Sequence, residues 1–134
     1  MFPILDLLLT LKKELQFVKS GGYTDVTLRA GRSARIFEDS PSCPNYLDPL
    51  EGIPCSHCPL VGLVPLAHLS EAAPCRHIVL SASGDTVESL SRTGSQAELE
   101  RTFTAWLLTT TRQIERARTM SRPRFDGSIR YFRA

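Results

Sequence analysis

Every cysteine and every histidine of this 134-residue chain lies between positions 43 and 77, in a stretch that also carries seven prolines from Pro41 to Pro74. Nothing else in the sequence constrains the fold as much. Proline locks φ and removes an amide donor, so neither a long helix nor a paired strand is expected between residues 40 and 74. A connection of that length with no structure of its own is unusual in a compact domain. Something other than backbone ladders has to organise it, and the cysteines are the chemical means available.

Cys55 and Cys58 form a Cys-x2-Cys knuckle, in which one tight turn aims two sulfurs at the same ion. Cys43, with eleven residues between it and Cys55, and Cys75, with sixteen between it and Cys58, would complete the set. Four thiolates suit tetrahedral zinc at Zn–S distances of ~2.3 Å, and the expected site is Cys43, Cys55, Cys58 and Cys75. Only one knuckle is present, so two singletons must converge on it. His77 lies two residues after Cys75 and is a substitute ligand for either singleton. His57, inside the knuckle, is expected to point away, and His57 and His68 read as ordinary residues without metal. An iron–sulfur cluster is an alternative cofactor, although the tight C-x2-C-x2-C run is missing. A thiol redox pair at Cys55 and Cys58 is another, although Pro54 and Pro59 suit a loop better than the helix start such chemistry favours.

The remainder predicts an α+β fold: an N-terminal helix, a small antiparallel sheet, the metal-stapled loop region and a long C-terminal helix. Ile4, Leu8, Leu11, Leu15 and Val18 recur at helical spacing until Gly21-Gly22, as on an amphipathic helix. That stripe either docks on the chain's own core or pairs two chains, which makes a homodimer a candidate partner state. Segments 23–29 and 33–37 are rich enough in β-branched and aromatic residues to suggest strands. Segments 77–80 and 86–90 flank a turn at Gly84 and read as a hairpin. Ser95 and Glu98 match a helix capping box; Leu99, Phe103, Trp106, Leu107 and Ile114 then continue a helix from Gln96 to about Arg118. Residues 1–118 are expected to form one domain, with 119–134 a basic, flexible tail.

The formal net charge is only +2, too small for the strong field that marks many nucleic-acid binders. It is unevenly spread, however, since residues 112–134 hold seven arginines and two acids. A nucleic-acid-binding zinc protein therefore stays a third reading. The start of the chain lacks the basic region and small-residue cleavage site of a signal peptide, and no apolar run reaches the ~20 residues of a membrane span. A cytoplasmic location without membrane attachment is expected, where clustered cysteines are more often ligands than disulfides.

At Cys43, at Gly52-Ile53-Pro54-Cys55-Ser56-His57-Cys58-Pro59 and along the following hairpin, the chain resembles the cysteine-containing PAS-type sensor domains of bacterial signalling proteins. Those often carry one cysteine, a short polar stretch ending in Gly, and then Pro-Cys-x-x-Cys-Pro. The similarity spans about residues 40–92. Pro44 stands where that pattern usually has an aromatic residue, and Cys75 is additional. The resemblance implies a sensory or dimerising module with the C-terminal helix as a signalling connector. No nucleophile-elbow, phosphate-loop or metalloprotease motif is present, and no His-x-Glu accompanies the knuckle as in zinc deaminases. A regulatory or interaction module that is not an enzyme is the expectation.

Overall fold

The computed structural model describes residues 4–46 and 54–120. Four α-helices carry the architecture: α1 (Ile4–Lys19), α2 (Gly22–Ala30), α3 (Val87–Thr93) and α4 (Gln96–Met120). Between α2 and α3 the chain proceeds by turns and four short 3-10 helices, Cys55–His57, Pro59–Leu63, Leu66–His68 and Pro74–His77.

The long pairing is α1 against α4. Leu7, Leu8 and Leu11 on one face of α1 and Leu99, Phe103, Leu107 and Ile114 on one face of α4 are all buried. The helices run antiparallel, since Lys12 reaches Glu115 at 2.7 Å while Tyr23, just past the end of α1, lies edge-on to Phe103. The stripe read from the sequence thus packs inward, with Ile4, Leu15 and Val18 flanking the same core. Gly21 in the left-handed region (φ 83°) ends the first helix. At Gly22 a Cβ would meet the Phe17 ring, so any larger residue at the tight α1–α2 corner would have to displace that ring.

The expected α+β class, with its small antiparallel sheet, is overturned. Among the described residues the molecule is helical, and its β pairing is an isolated bridge between Val79 and Thr86. The segment from Tyr23 to Arg29 lies within α2, not in a strand. Its β propensity is outweighed by burial of Tyr23, whose ring packs edge-on to Phe17 and whose hydroxyl donates to Glu14. Residues 33–37 form no strand either, because side chains take the amides a neighbouring strand would need. Asp39 accepts from the Arg35 amide at 2.6 Å and the Tyr23 hydroxyl accepts from the Phe37 amide at 2.9 Å.

In the expected hairpin the turn is present and the second arm is not. The Leu80 amide donates to the Asp85 carbonyl at 2.7 Å around Gly84, which has φ 89°. Thr86 then caps α3: its hydroxyl accepts from the Ser89 amide at 3.0 Å, and the Ser89 hydroxyl accepts from the Thr86 amide at 2.8 Å. This reciprocal cap turns 87–93 into helix. The Ser95 cap of α4 is present too, with the Glu98 amide donating to its hydroxyl at 3.1 Å. Helix α4 continues to Met120, two residues into the expected tail, while residues 121–134 lie outside the described ones.

Candidate metal centre

The four cysteines arrive on different pieces of backbone that share one local design. The carbonyls of Cys43, Cys55, Cys58 and Cys75 accept the amides of Tyr46, Cys58, Val61 and Ile78, at 3.0–3.3 Å. Each cysteine therefore opens a reverse turn whose backbone is satisfied locally, which leaves its side chain free to face a common space. Two of them, Cys43 and Cys58, are followed by proline and accept at sulfur from the amide two residues on, of Asn45 and Leu60 respectively. An amide pointed at sulfur favours the thiolate that metal binding requires.

The common space is a cleft of about 430 Å³ lined by all four cysteines, together with Phe37, Glu38, Pro54, Leu60, Val64 and Pro74. Its two sides are clamped. Arg76, beside Cys75, makes a two-pronged pair with Glu38 at 2.7 and 2.9 Å, across 38 positions of sequence. On the other side Glu14, fully buried on α1, accepts from the hydroxyls of Tyr23, Ser40 and Ser42, the last two with Oγ 2.6 Å away. That network ties the segment carrying Cys43 to the helical core. Phe37 anchors the same segment, buried in the left-handed region (φ 66°) with its ring edge-on to Phe103.

Burial pushes the thiols of Cys43, Cys58 and Cys75 up, Cys75 furthest. Negative charge at Glu38 and at the other cysteines adds to this at Cys75, as expected where thiols share one small volume. All four thiols are unbridged, and Cys55 is solvent-exposed, with its Sγ 3.9 Å from the Ala72 carbonyl. Tetrahedral zinc would hold its sulfurs ~3.8 Å apart. The sulfurs are more widely spread than that, since the group of ligand atoms lying within 4.8 Å of one another is His68, Glu71 and His77.

The histidines separate cleanly. His57 is exposed and does not line the cleft, as its place inside the knuckle suggests. His77 does not line it either. It turns the other way, with Nε2 3.5 Å from Glu71 and 3.9 Å from Glu88, so it is not positioned to replace a cysteine. His68 stacks on it. The sequence reading missed this grouping, and the signal was the His68-x2-Glu71 spacing, which one turn of backbone brings together.

No protein-family model matches the chain, and neither do any curated protein or solved structure. Among the described residues no helix is long and apolar enough to cross a membrane.

Proposed function

We propose that this chain is a zinc-binding regulatory or protein-interaction module without catalytic activity, its ion held by Cys43, Cys55, Cys58 and Cys75. The observation that carries the reading is that thiols from three separate stretches of a proline-rich segment line a single cleft. Four sulfur ligands leave no open coordination position for substrate or activated water, so the ion's work is structural. Binding would draw the turns inward around it and contract the cleft. The motif likeness to PAS-type sensors supports the regulatory role, although the described residues contain no sheet that would extend it.

A thiol redox sensor is the second reading. It would use Cys55 and Cys58, which flank a single turn of 3-10 helix and do not sit at the start of the α-helix that such chemistry favours. An iron–sulfur cluster would use the same four sulfurs and differs by colour. Reducing cytosol suits unbridged thiols, and the partner would be a second copy or another protein. The arginine-rich tail invoked for nucleic acid falls largely on residues 121–134, outside the described ones.

Metal analysis with an absorption spectrum, on protein purified without oxygen, tests this. The expected result is about one zinc per chain and a colourless solution; bound iron with visible absorbance overturns it in favour of a cluster. Zinc bound at structural sites contributes ~10–16 kcal/mol, comparable to a whole domain's stability of ~5–15 kcal/mol. Cys55→Ser and Cys58→Ser should therefore lower the melting temperature by many degrees, whereas His57→Ala should change it little. Equal tolerance of all three would mean that the cysteines are not ligands.

A further inference from the structure

The tightest gathering of metal-ligating side chains among the described residues lies apart from the thiols. His68 ends the turn Leu66–His68, and the Glu71 amide donates back to the His68 carbonyl at 3.2 Å, which folds Glu71 over it. His77 ends the turn Pro74–His77 and lays its ring on that of His68, centroids 4.0 Å apart and planes 4° from parallel. Glu71 bridges the two rings: Oε2 is 2.6 Å from His68 Nδ1 and Oε1 is 3.5 Å from His77 Nε2. Glu88, in the first turn of α3, brings Oε2 to 3.9 Å from His77 Nε2.

We propose that His68, Glu71 and His77 form a second site, which binds an exchangeable divalent transition-metal ion, with Glu88 within reach as a fourth donor. Two imidazole nitrogens and a carboxylate are the donor set of zinc, cobalt and nickel sites. The nitrogens that face Glu71 already converge, with the three ligand atoms within 4.8 Å of one another. Closing to ~3.4 Å, the separation set by donor distances of ~2.0–2.1 Å, takes only a tilt of the stacked rings. The His68 and Glu71 side chains are 39% and 45% exposed, which leaves room for water on the ion and a route for exchange.

The site shares no donor with the thiol cleft and stands whether or not the thiols hold zinc. The two are mechanically joined, since Cys75 and His77 belong to the same turn, Pro74–His77. An ion that pulls on His77 moves the segment that carries Cys75. This gives a sensory module a chemical signal, the free concentration of a divalent transition metal.

Cobalt tests it on the full chain. The protein is first supplied with a single equivalent of zinc, which soft thiolate takes ahead of the imidazole and carboxylate donors, and is then titrated with cobalt chloride. The expected result is one cobalt per chain whose spectrum lacks thiolate-to-cobalt charge transfer. His68→Gln, at a half-buried position, and Glu71→Gln, at an exposed one, should each weaken it by roughly tenfold or more. Cobalt binding that is unchanged in both variants, or absent at millimolar cobalt, overturns the proposal. So does bound cobalt whose spectrum shows only sulfur ligation. Failure of the four-cysteine reading registers separately, as retained zinc that Cys58→Ser does not release.

Discussion

Glu14 is the residue on which the segment bearing Cys43 hangs. Removing a carboxylate from water is costly unless it is hydrogen-bonded, and here three hydroxyls point at it. Burial still dominates and raises its pKa above the ordinary value, with the bonds from Ser40, Ser42 and Tyr23 pulling the other way. A raised carboxyl pKa means that the folded state holds the proton more tightly than the unfolded chain. Glu14's contribution to stability is thus full below about pH 4.5 and is lost as pH rises through the native value. Melting temperatures measured from pH 4.5 upward should fall less steeply for Glu14→Gln than for the natural chain; parallel curves would show that Glu14 does not titrate there. Glu14→Leu should be strongly destabilising at every pH. Tyr23 and Ser42 would lose their acceptor at about 1–3 kcal/mol per buried group, while Ser40 keeps the Phe37 carbonyl at 3.0 Å.

Among the elements, α3 shows how a local cap competes with a strand. Seven residues are too few to be helical alone, and the segment is held by its reciprocal cap and by burial of Val87 and Leu90. Thr86→Ala removes the hydroxyl that accepts from the Ser89 amide, and should cost about 1 kcal/mol of stability in a denaturant titration. No change would mean that core burial alone sets the helix. Helix α3 also carries Glu88, so fraying its first turn would loosen the carboxylate beside His77.

Across the whole molecule, the α1–α4 pair is the frame on which the turns of the cysteine-bearing region are mounted. Leu60 and Val64, on the turn after the knuckle, and Ile78, after Cys75, are buried in the same core as Leu8 and Phe103. Leu8 is 2% exposed, and full burial of a leucine is worth roughly 1.5–3 kcal/mol. Leu8→Glu, which loses that burial and inserts a charge, should abolish folding by circular dichroism. A folded variant with altered sedimentation would instead assign the α1 stripe to a contact between chains.

The extent of the two long helices was legible in the sequence because period and capping are local properties: Ile4, Leu8 and Leu11 declare one face, and Ser95 marks one start. The turn at Gly84 and the loop character of the proline-rich stretch were legible for the same reason. The four cysteines could be nominated from their chemistry and the Cys55–Cys58 spacing. Their convergence could not, because it depends on contacts far apart in sequence, Arg76 with Glu38 and Ser42 with Glu14. Short segments such as Tyr23–Arg29 and Thr86–Leu90 carry too weak an intrinsic preference to choose helix or strand alone. The choice fell to the burial of Tyr23 against the α1–α4 core and to the Thr86 cap. The stacking of His68 on His77 was likewise decided by tertiary structure, since it needs two turns nine residues apart to meet against one carboxylate.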